Sequence, residues 1–381
     1  MRRAVATAAV LLAAAALTGC GTSLAEINRG GRVVGSTLNV YSLLPAAGRD
    51  ASRDIVDAEK LALYEARGTV GPFAINFLSI DEGEPGGRDG AREAAVALRD
   101  AVADPQVIAM IGPAGSDTGR AAVPLLNAAG ILELLPGAGY PGFTDRFGPG
   151  DPDRWQPSGR ITLARLVGDD TQQAEAIVRA AERATGGRAP RLTVEQEPGR
   201  FADALVEGLR KAGARIEEDP DRADAFVYSG EDPVNAAGVA DGLAAEHPGK
   251  PILLPDALTR AGVQQRLGAA ARRRAVFVSA APEPGSTAAL RRFEAAFRER
   301  FGREPGPYGA IGYEAMRSLL AAITAAGERA NNRQAVIDAY FAAAEHTGTV
   351  LGDYRIGPRG QLEPARFTAH RVRGGRAEYL R

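Results

Sequence analysis

Apolar runs of strand length alternate with stretches of helical period along most of the chain. Leu38–Tyr41 reads as a strand, and residues 52–67 place Ile55, Val56, Ala58, Leu61, Ala62 and Tyr64 near helical spacing. Phe73–Ile80 alternates, with Phe73, Ile75, Phe77 and Ser79 on one face. An Ala-rich helix over 89–103, a short buried-type strand over 107–111, a helix over 117–129 with Pro124 inside it, and a strand over 131–135 complete a first β-α-β-α-β-α-β unit. That order predicts a parallel sheet with crossover helices. The rhythm breaks over 136–159, which is dense in Gly, Pro and Asp. It then resumes, with strands at 161–166, 191–195, 224–228, 251–254 and 275–279 and helices at 171–185, 201–212 and 233–246. Helical segments at 286–301, 308–326 and 331–345 precede strand-like runs at 350–356, 366–372 and 378–380. No repeat of 20–50 residues is visible, so the pattern predicts two α/β units and not a solenoid.

The first twenty residues have a different character. Met1-Arg2-Arg3 is positive, Ala4–Leu17 is apolar and uncharged, and Leu17-Thr18-Gly19-Cys20 ends the run. The apolar stretch is short for a bilayer span, which needs about 20 residues. A charged start, a short apolar run and small residues read as a secretory signal. The last four residues resemble a bacterial lipobox, in which Cys20 would carry a thioether-linked diacylglycerol; an ordinary signal with a chance Cys is the alternative. Two acyl chains give stable anchoring, so the expected mature protein is extracytoplasmic and held at a membrane through Cys20. Residues 20–32 read as a flexible tether.

Composition narrows the function classes. The 381 residues are 45% hydrophobic and 24% charged, which excludes wholesale disorder. The formal charge is -1, and Arg272-Arg273-Arg274 is the one basic run, so nucleic acid is not an expected partner. One Cys and three scattered His (His247, His346, His370) leave no disulfide and no metal-site spacing. No cofactor is expected. Gly137–Gly142 matches GxGxxG, but it follows the fourth strand and runs into Pro141, where a dinucleotide site would use the first βαβ unit. Asp117-Thr118-Gly119 has no second copy to share a proton with. Neither a GxSxG elbow nor a Walker lysine is present.

Four stretches carry a resemblance. They are Asp104–Pro113 running on to Ile131, Leu135–Thr144, Gly306–Ala315, and Gly357–Leu362. In order and spacing, from about residue 35 to 375, the chain resembles the type I periplasmic binding proteins of the branched-chain amino-acid (leucine/isoleucine/valine) family. The resemblance implies two Rossmann-like α/β lobes with parallel sheets, joined by a three-strand hinge, with ligand in the cleft between them. Lobe 1 would comprise 33–158 plus 283–346, and lobe 2 would comprise 159–282 plus 347–381. It further implies a monomeric, non-enzymatic solute-binding lipoprotein that passes an amino-acid-like ligand to the permease of an ABC importer. A sensor or regulatory lipoprotein of the same fold is the alternative, and an extracytoplasmic enzyme a weaker one.

Several residues follow as candidates. Ser116 opens a helix after a strand, where unpaired N–H groups suit a carboxylate; its other reading is an N-cap. Backbone groups of Gly137, Ala138 and Gly139 follow the next strand. The resemblance puts a Thr hydroxyl at Gly139 and a Ser at Leu135, so side-chain hydroxyls are missing here. Asp256 ends an apolar run where the family places a carboxylate for the ligand ammonium, and Asp170 would sit near the lobe-2 rim; either could instead be an N-cap. Two family aromatics are absent, from Gly48–Arg53 and from Gly230-Glu231-Asp232. Glu231 and Asp232 in their place predict a more polar or cationic ligand. Tyr308 could face the cleft or the core.

Overall fold

The parallel βαβ units expected from the periodicity are present. The computed structural model describes residues 31–45, 50–81, 90–187, 189–198, 200–343, 345–374 and 376–380. The signal, Cys20 and most of the tether lie outside the described residues, as do Gly48 and Arg49. Gly31–Val33 already belong to the fold. The Val33 N–H donates to the Asn331 carbonyl at 2.6 Å, Arg333 N–H to the Gly31 carbonyl at 2.7 Å, and Arg32 bridges Asn332. The expected tether through Arg32 is therefore too long by two residues.

The first sheet contains β1 (Thr37–Leu44), β2 (Thr69–Val70), β3 (Phe73–Asp81), β4 (Val107–Ile111), β5 (Leu132–Leu135) and β6 (Leu163–Arg165), in the order β2-β3-β1-β4-β5-β6. Every pairing is parallel except β2 with β3. Helices α1 (Asp50–Glu65), α2 (Gly90–Ala103) and α3 (Ser116–Ala128) make the crossovers. Leu38, Val40, Ile108 and Leu132 pack on one sheet face against Ile311, Met316 and Val336. Leu43, Met110 and Leu126 pack on the other.

The second sheet holds β7 (Arg191–Gln196), β8 (Arg215–Ile216), β9 (Ala225–Ser229), β10 (Ile252–Leu254), β11 (Ala275–Ser279), β14 (Thr368–Arg373) and β15 (Arg376–Tyr379), ordered β15-β14-β11-β10-β9-β7-β8. Its first five strands in the chain pair in parallel, and the β14–β15 hairpin is added antiparallel at one edge. Around it lie α4 (Asp170–Thr185), α5 (Arg200–Lys211), α6 (Pro233–Glu246) and three short helices, α7 (Asp256–Arg260), α8 (Val263–Arg266) and α9 (Ala269–Arg274). Returning to the first lobe are α10 (Ala288–Phe301), α11 (Gly309–Ala326) and α12 (Arg333–Ala342). A Cβ on Gly312 would sit 2.5 Å from the Ile55 carbonyl oxygen, so that glycine lets α11 lie directly on α1.

Two of the three expected lobe boundaries shift. The strand expected to open lobe 2 is β6, the edge of the first sheet, with Leu163 opposite Glu133 and Arg165 opposite Leu135. The chain leaves lobe 1 only after Val167, whose side chain still joins the first core. Residues 347–362 also stay with lobe 1. Tyr354, Ile356 and Leu362 share its core, Tyr354 donates to Glu314 at 2.7 Å, and the Arg165 N–H donates to the Gly360 carbonyl at 2.8 Å. Of the run expected as a strand over 350–356, only Arg355–Ile356 (β12) is one, paired with β13 (Leu362–Glu363).

Candidate functional site

The lobe-1 rim is built from two turns that follow β4 and β5. All five residues of β4 are buried, and the chain then turns through Gly112 at φ +116°. A Cβ there would lie 2.1 Å from the Leu43 carbonyl oxygen, so only glycine fits. Gly115 is the N-cap of α3 and makes no side-chain cap. Ser116 is thus the first helical residue, which corrects its N-cap reading. Its buried hydroxyl accepts the N–H groups of Gly139 at 3.1 Å and Tyr140 at 3.2 Å, pinning the second turn to the first. From the other side the buried Arg165 guanidinium donates to the carbonyls of Ala138 and Tyr140. Ala138 faces inward, into a cluster with Tyr140, Phe143 and Trp155. The expected contribution of Ala138 is from its backbone, whose carbonyl here accepts from Arg165.

The Gly/Pro/Asp-rich stretch is a packed knot. Asp151 accepts from the Tyr140 hydroxyl at 2.6 Å, the Trp155 indole at 2.8 Å and the Gly148 N–H at 2.8 Å. The rings of Tyr140, Phe143, Phe147 and Trp155 meet edge to face. A Cβ on Gly142 would strike Asp151 at 2.2 Å, so the GxGxxG stretch is folded on itself.

The lobe-2 rim is charged. Asp169 is the N-cap of α4, in a capping box with Gln172. This corrects the N-cap reading of Asp170, which is the first helical residue. The Asp170 N–H donates to the Gly139 carbonyl at 2.9 Å, and a Cβ on Gly139 would lie 2.3 Å from Asp170 Oδ1. Burial, then the neighbouring Glu231 and Asp169 carboxylates, push the Asp170 carboxyl up to about 8, against the pull of Arg165. Glu231 follows β9, and its Oε1 accepts the Ser116 N–H at 3.2 Å across the lobe boundary. Burial first and Asp117 second raise its pKa, opposed by Arg260 and by the bond from Ser116. Asp232, expected to add cleft charge, instead caps α6 through the N–H groups of Val234 and Asn235. Glu197, which the sequence did not single out, steadies the turn by accepting the N–H groups of Glu231 at 3.0 Å and Asp232 at 3.2 Å.

Asp256 is buried and also not an N-cap, since Pro255 holds that place. Its Oδ2 receives Arg260 Nη1 at 2.6 Å, and its Oδ1 accepts from the Tyr308 hydroxyl at 2.8 Å and the Ala280 N–H at 2.7 Å. Tyr308 therefore belongs to the lobe boundary, and the Ser279 hydroxyl donates to it at 3.0 Å. Arg260, a second residue missed in the sequence, lies four residues after Asp256 on α7, the spacing at which helical ion pairs meet. Its Nη2 donates to the Ala114 carbonyl of lobe 1 at 2.8 Å. A Cβ on Gly137 would sit 2.6 Å from Arg260 Cζ.

The structure thus brings Ser116, Gly137 and Gly139 from one lobe against Asp170, Glu231, Asp256 and Arg260 from the other. The lobes touch here, through Arg260 to Ala114, Glu231 to Ser116, and Asp170 to Gly139. A groove of about 840 Å³ runs beside this network, lined in part by Thr259, Ser279, Ala281, Phe293, Pro307 and His370.

Neither the protein-family profiles nor the curated proteins compared with the chain give a match. Solved structures do. A leucine-binding protein LivK from Thermotoga maritima shares 20% identity at a TM-score of 0.74, over 90% of this chain and 97% of that one. The branched-chain amino acid transporter substrate-binding protein LivJ from Streptococcus pneumoniae, in complex with isoleucine, shares 18% at 0.71, over 90% and 98%. An ABC-transporter solute-binding protein from R. palustris, in complex with benzoate, shares 18% at 0.68, over 90% and 95%. The chain has the two-lobed α/β fold of these substrate-binding proteins, the fold its sequence resemblance implied.

Proposed function

We propose that the chain is an extracytoplasmic solute-binding protein of an ABC importer. It captures a small polar solute between its lobes and delivers it to a membrane permease. The observation that carries this reading is the convergence of polar groups from both lobes on one boundary: the Ala114 carbonyl, Ser116 N–H and Gly139 on one side, Asp170, Glu231 and Asp256 on the other. Concave sites between domains are where small ligands collect, and a ligand touching both lobes closes a hinge by its differential affinity for the closed form. The chain acts as a monomer tethered through a lipid on Cys20. Among the described residues no helix is long and apolar enough to cross a membrane, so attachment rests on that lipid in this reading. The solute is an amino acid or a related amide or amine, with the acidic lobe-2 rim favouring cationic groups.

A thermal-shift screen of amino acids, amides, polyamines and small organic acids tests the proposal. A true ligand at about 100 times its Kd stabilises by about 2.7 kcal/mol, a shift of several degrees. A panel with no shift, and scattering curves that do not change with any solute, would refute it. One observation favours a second reading, a sensor of the same fold without transport: the faces of Gly137 and Gly139 are already covered by Arg260 and Asp170. Genes for permease and ATPase subunits beside this one would favour import.

A further inference from the structure

The covered faces have a chemistry of their own. The turn at 114–116 offers a carbonyl at Ala114 and an N–H at Ser116. Lobe 2 meets the carbonyl with the Arg260 cation at 2.8 Å and the N–H with the Glu231 carboxylate at 3.2 Å. Arg260 at the same time pairs with Asp256 at 2.6 Å and lies over the Tyr308 ring at 5.9 Å. Its side chain is 7% exposed and that of Asp256 4%. A buried ion pair is rarely a gain over apolar side chains of the same size. Stability alone therefore gives little reason to place this pair at the surface where the lobes must part.

We infer that Arg260 and Glu231 are a tethered surrogate for the solute: together they present a cation and an anion to the groups a zwitterionic ligand would use, and they hold the empty lobes closed. The inference rests on the solute-binding reading and sharpens it. Asp256, the Ala114 carbonyl and the Tyr308 ring form a seat for a planar or ammonium cation, and Arg260 fills it. A solute enters by displacing Arg260, so it carries a guanidinium or amine group. Its apparent affinity is lowered by the fraction of molecules latched on themselves. Arg260 and Glu231 are specificity-determining residues in this scheme, because a ligand without a cation leaves Asp256 no better paired than Arg260 already does.

The experiment is small-angle scattering on the purified chain with methylguanidinium as the probe. Arg260→Ala should widen the scattering envelope, and millimolar methylguanidinium should return it to the wild-type curve. Methylguanidinium should bind Arg260→Ala about tenfold or more tightly than wild type, because the competing side chain is gone. An Arg260→Ala curve identical to wild type, or an opened variant that methylguanidinium leaves open, overturns the inference. Should Arg260→Ala fail to fold by circular dichroism, Glu231→Ala, which leaves the Asp256 pair intact, must also open the lobes; an unchanged curve then overturns it. The two readings fail separately. A wild-type chain that binds a solute while both variants keep the wild-type curve retains the function and loses the latch. Opening and reclosure with no solute shifting wild-type melting retains the latch and loses the function.

Discussion

The two rims that meet at the lobe boundary follow strands of similar parallel sheets, yet they are made of different material. The lobe-1 rim is mostly neutral: main-chain groups of 112–116 and 137–140, one serine hydroxyl, and glycines where side chains would collide, with Asp117 beside them near Glu231. The lobe-2 rim presents Asp170, Glu231, Asp256 and Arg260. Main-chain groups cannot change rotamer, so the neutral rim is a fixed template. Side chains can swing, so the charged rim can yield to a ligand. Stability should therefore concentrate in the first rim and selectivity in the second.

Substitutions can break that division, and the largest effect is expected at Gly112. Gly112→Ala combines a φ of +116° with a Cβ 2.1 Å from a backbone oxygen that cannot move aside. It should cost at least about 4 kcal/mol in urea unfolding, at the upper end of single substitutions. Next is Arg165→Met, which strips the carbonyls of Ala138 and Tyr140 of their donor and leaves Asp170 without its nearby cation. Losing one partner of a buried charged network costs about 3 kcal/mol or more, readable in the same melts. Asp256→Asn on the opposite rim should cost less, about 2 kcal/mol, because the amide oxygen can still accept from Tyr308 and Ala280 and the Glu231 carboxylate still lies near the Arg260 guanidinium. If Asp256→Asn destabilised more than Gly112→Ala, the charged rim would be the scaffold and the comparison would fail.

Much of this arrangement was legible in the sequence, and the misses have physical causes. Strand and helix existence followed from periodicity, because each element buries one face. Sheet membership did not. Leu163–Arg165 reads as a strand from its own residues, but its place beside β5 depends on hydrogen bonds to residues thirty positions earlier. Likewise, Asp169 and Asp170 are adjacent acids, and either could cap; the Gln at position 172 that completes a box with Asp169 was the available signal. Glu231 and Asp256 were identified by type and place. Their partner Arg260 was missed although it stands one helical turn from Asp256, because an acid and a base four residues apart are ordinary on any exposed helix face and nothing local marks this pair as buried. Glu197 had no local signal, since it acts on N–H groups more than thirty residues away.

Acidity separates the rims in another way. The Asp170 carboxyl is raised from 3.8 to about 8 in the fold, so the folded chain holds a proton that the unfolded chain releases between those values. Stability from this group is full below pH 4 and is lost as pH climbs toward 8. Glu59, buried beneath the first sheet and raised to about 8 by desolvation, adds to the same decline from inside lobe 1. Melting temperatures across this range should fall for wild type and fall less for Asp170→Asn. Glu59→Gln should flatten it further, with the buried Glu133 and Glu231, also raised, keeping part of the slope. A slope unchanged in Asp170→Asn would mean that this carboxylate is solvated and that the charged rim is looser than its contacts imply.

The smallest effect is expected where the rims share a hydroxyl. Tyr308 comes from lobe 1, yet its oxygen donates to Asp256 and accepts from Ser279, both of lobe 2. Tyr308→Phe keeps the ring over Arg260 and removes the hydroxyl's bonds with Asp256 and Ser279, so unfolding should lose only about 1.5 kcal/mol. Its larger signature should be in opening, because Asp256 then holds Arg260 with one fewer competing donor and the pair tightens. Solute affinity would drop accordingly, with melting almost unmoved. A variant that loses stability and leaves affinity intact would place Tyr308 with the scaffold. The boundary between template and selector would then run through Asp256 itself, between the oxygen that faces Tyr308 and the one that faces Arg260.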